Sequence, residues 1–219
     1  MSKYKFLAFD IDGTLFSSEG IILQTYIEAI ENFKTKFNSD IKIPNKEKII
    51  EQVGLPVKKI FQNLLPEISE EHRDLISDDV LVLLTKSISE KKGHIYNSVI
   101  ETIKILKEKG YLLGVASNGR FKYIDTILKT YLIDSYFENL IIINYNDIKE
   151  KGDILKKYSF QYNLLPQEIL MIGDRDSDYK AAKDLSCDFV FCEYGHANKD
   201  EILEYTYKIN SLKELLNFL

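Results

Sequence analysis

The stretch of sequence that decides the fold is Asp10-Ile11-Asp12-Gly13-Thr14-Leu15, which comes directly after the apolar run Phe6-Leu7-Ala8-Phe9. Alternate side chains of an extended segment point to the same side, so the carboxylates of Asp10 and Asp12 are expected to lie on the same side of the chain. Two carboxylates that close repel unless a cation or a proton neutralises one of them. The pair therefore indicates a metal site, acid–base chemistry or a nucleophilic carboxylate. On the hexapeptide alone, a strand that ends in an Asx turn is an equally good interpretation.

The composition is that of a mildly acidic globular protein. The chain has 219 residues, 45% of them hydrophobic, and a formal net charge of −5. This is enough for a substantial core in one domain, with or without an insertion. The sequence contains no block of Lys and Arg of the kind that indicates nucleic-acid binding. The longest apolar runs, such as residues 80–84 and 140–143, are too short to span a bilayer. We therefore expect no nucleic-acid partner and no membrane span.

The cysteines and the first residues bear on the compartment. Cys187 and Cys192 are too few for a disulfide framework or a thiolate metal site, so we expect buried free thiols. Met1-Ser2-Lys3-Tyr4 leads directly into a predicted strand, and we expect no signal peptide. The predicted location is cytoplasmic.

Five short apolar segments predict buried strands of a parallel sheet, because they are continuously apolar rather than alternating. Helical patterns separate most of them, which predicts a doubly wound α/β sheet with right-handed crossovers. The predicted strands are residues 5–9, 112–116, 140–144, 169–172 and 189–192, and the predicted helices are 98–109, 122–130, 154–162 and 179–185.

Residues 17–92 interrupt this alternation. They contain long amphipathic patterns and no convincing strand, which predicts an inserted helical domain over the carboxyl edge of the sheet. We therefore predict an α/β core of residues 1–16 and 93–219 and a helical cap of residues 17–92. The predicted cap helices are residues 22–37, 46–53, 57–65 and 70–89.

Polar motifs follow three more of these apolar segments. Ser117-Asn118-Gly119-Arg120 follows the second, Lys149-Glu150-Lys151-Gly152-Asp153 lies after the third, and Gly173-Asp174-Arg175-Asp176-Ser177-Asp178 begins at the end of the fourth. Ligands of open α/β sheets bind at the carboxyl ends of strands, so these side chains are expected to converge with Asp10 and Asp12. The convergence favours a functional site over a simple turn.

The four motifs in this order resemble the haloacid dehalogenase superfamily of phosphohydrolases, including its Rossmann-like core and a helical cap inserted after the first motif. The resemblance covers nearly the whole chain and implies that Asp10 is a nucleophile that forms an aspartyl-phosphate. It implies that Asp12 is the general acid and base, and that Lys151 pairs with Asp10 and the phosphate. In relatives the motif lysine is often followed by proline, whereas Lys151 is followed by Gly152. Lys149 and Lys156 therefore remain alternatives to Lys151.

The resemblance also implies a phosphate-binding set, a metal site and a specificity turn. Mg²⁺ suits an all-oxygen site, with Asp12 contributing its main-chain carbonyl. Asp178 is either a metal ligand or the cap of a helix starting at Tyr179. The implied phosphate contacts are Gly13, Thr14, Ser117, Asn118 and Lys151; the implied metal ligands are Asp10, Asp12, Asp174 and Asp178; the turn that reads the substrate is Gly54-Leu55-Pro56.

These expectations describe a Mg²⁺-dependent phosphatase that acts on a small phosphorylated molecule as a monomer or homodimer. A phosphosugar mutase with the same nucleophile and acid is an alternative, and a non-catalytic binding protein on this fold is a weaker one. A haloacid dehalogenase proper is disfavoured, because such relatives lack the carboxylate that stands here as Asp12. Arg120 has two open interpretations, a contact to a substrate anion or a solvent-facing charge.

Overall fold

The computed structural model describes residues 3–198 and 200–219 and contains a parallel sheet flanked by helices. Five strands lie in the order β4-β1-β5-β6-β7, and every neighbouring pair is parallel. The predicted doubly wound α/β fold is thereby confirmed. The strands are β1 (Phe6–Phe9), β4 (Leu112–Val115), β5 (Ile169–Gly173), β6 (Asp188–Cys192) and β7 (Tyr207–Ile209).

Helices cover both faces of the sheet because its strands are apolar on both sides. In β1, Leu7 and Phe9 face one apolar cluster, whereas Phe6 and Ala8 face another. The first cluster includes α5 (Val99–Glu108) and α6 (Phe121–Thr130), and the second includes α7 (Lys151–Gln161) and α8 (Asp176–Leu185). Burial on both faces explains why the strands lack alternation.

Four helices follow the first strand, in the segment for which the sequence predicts them. They are α1 (Glu19–Phe37), α2 (Lys46–Ile50), α3 (Val57–Leu64) and α4 (Glu70–Ser89), and we call residues 19–89 the helical insertion. Both connections of this insertion to the sheet pass through one antiparallel pair, β2 (Phe16–Ser17) and β3 (His94–Ile95). The apolar cluster on the α5 side of the sheet continues into the insertion.

One predicted strand is wrong and one real strand was missed. Residues 140–144 form no strand, although Leu140 and Ile142 pack against one cluster and Ile141 and Ile143 against the other. Their apolar pattern therefore reflects packing against both clusters. It does not reflect the hydrogen-bond pairing that would make the segment a strand. The fifth strand is instead β7, whose three residues include the exposed Lys208 and give too short an apolar signal.

Within the described residues, no helix has both the length and the apolar character needed to cross a membrane.

Gly114 in β4 offers a test of how tightly the sheet packs against α7. A Cβ at this position would lie 2.3 Å from Cζ of Phe6 and 3.1 Å from Cε2 of Tyr158, and both rings are fully buried. We expect Gly114→Ala to lower the free energy of unfolding by about 1–3 kcal/mol in urea titrations, through overpacking. Gly20→Ala, in an exposed turn of α1 with its nearest atom at 3.8 Å, is the control and should be neutral or slightly stabilising. A tolerated Gly114→Ala would show that β4 is free to move.

Candidate active site

The carboxyl ends of three adjacent strands place the acidic motifs in one crevice. β1 lies between β4 and β5, so Asp10, Ser117 and Asp174, which follow these strands, meet at one edge of the sheet. All three side chains are buried. The convergence follows from strand order, because parallel neighbours end on the same side.

Lys151 lies at the centre of this cluster. It stands in the first turn of α7, and its Nζ lies 2.9 Å from Oδ2 of Asp10 and 2.7 Å from Oδ1 of Asp178. Burial alone lowers the pKa of Lys151, but the charges of Asp10 and Asp178 outweigh burial and raise the pKa above its usual range. Lys149 and Lys156 do not take this position, since the Lys149 main chain and the Lys156 ammonium both contact Asp153 instead.

The alternative in which Asp178 caps a helix starting at Tyr179 is wrong about the helix start, because α8 begins at Asp176 and Asp178 lies in its first turn. Oδ2 of Asp178 accepts hydrogen bonds from the main-chain N–H groups of Asp174 (3.1 Å) and Arg175 (2.9 Å). Its other oxygen accepts one from Lys151. Burial raises the pKa of Asp178 to about 6, against the opposing effect of Lys151. Asp178 thus holds both the lysine and the loop after β5.

Asp174 is held by groups from two loops. Its Oδ1 accepts a hydrogen bond from Oγ1 of Thr14 (3.3 Å), and its Oδ2 accepts one from the main-chain N–H of His196 (2.7 Å). Burial, together with the charges of Asp10 and Asp178, raises its pKa well above the ordinary value.

Three carboxylates of this cluster fit a divalent cation. Asp10, Asp174 and Asp178 each offer an oxygen, and the three oxygens lie within 4.8 Å of one another. Oδ2 of Asp10 is buried and accepts no well-aligned hydrogen bond. Three carboxylates face one lysine, so the local charge lacks about two positive charges, and oxygen ligands are those that hard cations prefer. The arrangement therefore suits a divalent metal ion.

Asp12 is oriented by two hydroxyl groups that the motifs do not include. Ser18 Oγ and Tyr123 OH each donate to Oδ1 of Asp12 at 2.8 Å. Burial raises the pKa of Asp12, the two hydrogen bonds lower it, and the charge of Asp10 raises it again. The net shift is upward, which places a carboxyl with a raised pKa beside Asp10. Tyr123, from α6, gave no signal in the sequence.

Two glycines allow the loops to approach Asp174 closely. Gly13 has a φ of +80°, and a Cβ there would lie 2.1 Å from Oδ2 of Asp174. A Cβ at Gly195 would lie 2.3 Å from Cβ of Asp174. A larger residue at either position would displace the carboxylate. The Tyr194-Gly195-His196 segment therefore supports Asp174 through its main chain.

The Gly54-Leu55-Pro56 turn and the Ser117-Asn118-Gly119-Arg120 motif meet across the crevice. Asn118 Nδ2 donates to the main-chain oxygen of Gly54 (2.8 Å), and Arg175 Nη1 donates to that of Val53 (2.8 Å). Gly54 itself has a φ of +85°, in the left-handed region that favours glycine. Leu55 lines the cavity that also contains Asp10, Asp12 and Ser117, and Pro56 precedes α3.

Arg120 also bridges core and insertion. Its Nη1 lies 2.7 Å from Oδ1 of Asp78 on α4, so its charge is partnered by the insertion. Asp176, by contrast, pairs with Lys180 on the surface of α8 and takes no part in the carboxylate cluster.

The chain belongs to the haloacid dehalogenase-like hydrolase family, whose model matches residues 7–192. It is similar to a phosphoglycolate phosphatase of Mannheimia succiniciproducens, with 26% identity over 203 residues that cover 89% of this chain and 88% of the relative. It is also similar to a glyceraldehyde 3-phosphate phosphatase of Pyrococcus furiosus, with 28% identity over 235 residues, 100% of this chain and 94% of the relative.

Solved structures show the same fold. The crystal structure of a predicted phosphoglycolate phosphatase from Haemophilus somnus superposes with a TM-score of 0.86 at 21% identity, covering 99% of this chain and 98% of the other.

The carboxylate cluster predicts a pH-dependent response to divalent cations. The pKa of Asp178 (about 6) and that of Asp174 are raised, so the folded state binds protons that the unfolded state releases. Without added metal, this contribution to the free energy of unfolding is fully present below about pH 4 and lost as the pH rises through about 6. Mg²⁺ at a fixed concentration, a hundredfold its Kd at pH 7.5, should add about 2.7 kcal/mol to the free energy of unfolding at pH 7.5. The same concentration should add much less at pH 5, because protons compete with the ion for the carboxylates.

The comparison of wild type with Asp174→Asn isolates the cluster, because surface carboxylates contribute equally to both. Thermal and urea unfolding at pH 5 and pH 7.5, with and without Mg²⁺, measure the effect. Asp176→Asn, which removes an acid of the same loop that pairs with Lys180, is the matched control and should keep the full response. An equal Mg²⁺ response in Asp174→Asn would contradict the assignment.

Proposed function

We propose that this protein is a Mg²⁺-dependent phosphatase that releases inorganic phosphate from a small phosphomonoester through an aspartyl-phosphate. The observation that carries the proposal is the buried contact of Asp10 with Lys151, at 2.9 Å, beside the carboxylates of Asp174 and Asp178. The names of the two similar phosphatases support it. Free thiols at Cys187 and Cys192 agree with a cytoplasmic location.

Asp10 is the proposed nucleophile. One of its carboxylate oxygens attacks phosphorus while the bond from phosphorus to the ester oxygen breaks, and water later cleaves the acyl phosphate. Lys151 holds Asp10 in place and offers positive charge to the transferred group. Because Lys151 is itself fixed by Asp178, its ammonium group is already oriented before the substrate binds.

Asp12 is the proposed general acid and base. Its raised pKa lets it carry a proton to the leaving oxygen and then accept one from the attacking water. Tyr123 and Ser18 both bond Oδ1, and they hold the carboxyl in one rotamer. Oδ2 is the oxygen available for proton transfer.

The phosphate contacts come from loops after β1 and β4. We propose that the Ser117 hydroxyl, which at present accepts a hydrogen bond from the Gly119 N–H (3.2 Å), donates to a phosphoryl oxygen. Main-chain amides near Gly13, Thr14 and Asn118 would add neutral donors. Catalysis of phosphoryl transfer depends chiefly on such positioning and electrostatics.

Mg²⁺ would be held by Asp10, the main-chain carbonyl of Asp12 and Asp174. Asp178 accepts three protein hydrogen bonds, one of them from the Lys151 ammonium, so we assign Asp178 mainly to orienting Lys151 and the loop that carries Asp174. When bound, the ion supplies positive charge that offsets the repulsion between the carboxylates and the phosphate dianion.

Residues 17–92 are the proposed cap, and residues 1–16 and 93–219 are the proposed core. The β2–β3 pair joins them. Gly54 and Leu55 line the cavity, which supports the proposal that the Gly54-Leu55-Pro56 turn contacts the substrate. Contacts of Asn118 with Gly54 and of Arg175 with Val53 hold the turn over the crevice. A cap in this position excludes water from the reacting groups.

The nucleophile is tested with Asp10→Asn. We expect phosphate release from p-nitrophenyl phosphate with Mg²⁺ to fall to the uncatalysed background, because an amide cannot form the acyl phosphate. Asp176→Asn, an acid outside the cluster, should keep wild-type activity. Comparable activity in Asp10→Asn would refute the mechanism, and conversion of a hexose 1-phosphate to its 6-phosphate by the wild type would favour a mutase.

Tyr123→Phe tests the orientation of Asp12. Loss of one of the two hydrogen bonds to Oδ1 should impair proton donation by Asp12. Hydrolysis should slow most for esters with poor leaving groups, because their departing oxygen depends on that proton. We expect kcat/KM for an alkyl phosphate to fall about 10-fold or more, within the range for general acid catalysis, and kcat/KM for p-nitrophenyl phosphate to change far less. Tyr131→Phe, which removes a hydroxyl bonded to the Gly93 oxygen outside the site, is the control. Equal losses for both esters would instead indicate a structural effect.

A further inference from the structure

The cavity that opens onto Asp10 and Asp12 has mostly hydrocarbon walls. It lies between the core and the helical insertion, and the insertion contributes aliphatic and aromatic side chains from α1, the specificity turn, α3 and α4. The rings of Tyr26 and Phe61 stack in parallel, 5.5 Å apart, and form one wall. Other apolar groups of the insertion in this wall are Ile22, Leu55, Ile60, Val80 and Leu81.

Several of the polar groups along this wall are engaged with one another. Ser18 and Tyr123 both bond Asp12, and the Asn118 amide bonds the main chain of Gly54. Arg120 is the only cationic side chain among the described residues that line the cavity, and it is paired with Asp78. The wall therefore offers no unpaired positive charge to a substrate.

This chemistry discriminates among leaving groups. A carboxylate on the leaving group would lose its water beside Asp12 and find no free cation, which is strongly unfavourable. The hydroxyl groups of a sugar or of glycerol would lose hydrogen bonds to water against these hydrocarbon walls. An alkyl or aryl group incurs neither cost and gains from each methylene that it buries.

We infer that the substrate is a phosphomonoester whose leaving group is uncharged and mainly hydrocarbon, a small alkyl or aryl phosphate, rather than a phosphorylated acid or sugar. The inference rests on the proposed phosphatase function and concerns only the group that departs from phosphorus. It separates this chain from relatives that are named for phosphoglycolate and glyceraldehyde 3-phosphate.

The first test compares kcat/KM of the wild-type enzyme, with Mg²⁺, for esters of similar length. We expect n-propyl phosphate to exceed both glycerol 1-phosphate and phosphoglycolate by about tenfold or more, in line with the cost of unpaired polar groups. From ethyl to propyl to butyl, kcat/KM should rise roughly fourfold per methylene while the pocket has room. Glycerol and glycolate are better leaving groups than propanol, because their hydroxyl and carboxylate substituents withdraw electrons. The intrinsic reactivity of the three esters therefore opposes the expected order of kcat/KM, and a preference for n-propyl phosphate would come from the enzyme.

The second test places a cation in the wall. Leu81→Lys, from α4, should raise kcat/KM for phosphoglycolate relative to n-propyl phosphate by about tenfold or more, since a lysine there can meet the carboxylate. Val82→Lys is the matched control, because Val82 is the next residue of the same helix and is 53% exposed. It should leave the ratio unchanged. Circular dichroism verifies that both variants fold, and the wild-type series decides the question if Leu81→Lys does not.

The outcomes separate the two proposals. If the wild type releases no phosphate from any ester, including p-nitrophenyl phosphate, the phosphatase function itself is wrong. If it releases phosphate but prefers phosphoglycolate or glycerol 1-phosphate, the function stands and the inferred substrate class is overturned. A change of preference in Val82→Lys as large as in Leu81→Lys would also overturn the role of the cavity wall.

Discussion

The buried contact between Lys151 and two carboxylates constrains the rest of the site. An ammonium group with almost no exposed surface needs partners, and Asp10 and Asp178 supply them. Asp178 in turn fixes the loop after β5 through two main-chain N–H groups, and this loop carries Asp174. The lysine, the loop and the nucleophile are therefore oriented together, and a displacement of one would leave a buried charge unpaired.

This charge arrangement accounts for the features that surround it. Three carboxylates exceed the single lysine, so the cluster suits a divalent cation. Burial, together with the neighbouring carboxylates, raises the pKa values of Asp174 and Asp178. The loops that approach Asp174 use glycine where a side chain would collide with it, at Gly13 and Gly195. Asp12, two residues from Asp10, faces the helical insertion and takes its hydrogen bonds from Ser18 and Tyr123. One edge of the sheet thus has two parts, the charged cluster around Lys151 and the Asp12 carboxyl, which accepts hydrogen bonds from two hydroxyl groups.

The helical insertion contributes a different environment. Apolar side chains of the insertion line the cavity that also contains Asp12. The main chain of the insertion at Val53 and Gly54 accepts hydrogen bonds from Arg175 and Asn118 of the core. Residues of the loops after β4 and β5 therefore also hold the turn that closes the cavity. This shared use couples the position of the insertion to the geometry of the site. Because function depends on the site and not on the fold, the proposed preference among leaving groups depends on the cavity wall.

The sequence by itself determined the α/β fold, four of the five strands and the helical character of residues 19–89, because these depend on local apolar patterns. It also pointed to Asp10, Ser117 and Asp174, since polar residues that follow buried strands meet at one edge. The family resemblance added a lysine, with Lys149, Lys151 and Lys156 as the candidates. The sequence predicted a strand at residues 140–144 and missed β7, because an apolar pattern reports burial and not hydrogen-bond pairing. Only the tertiary structure decided that Lys151 rather than Lys149 or Lys156 contacts Asp10, that Tyr123 and Ser18 orient Asp12, and that the cavity wall is hydrocarbon. Some of those contacts join residues that are more than a hundred positions apart in the sequence. A local sequence pattern does not show which distant side chains line the same cavity.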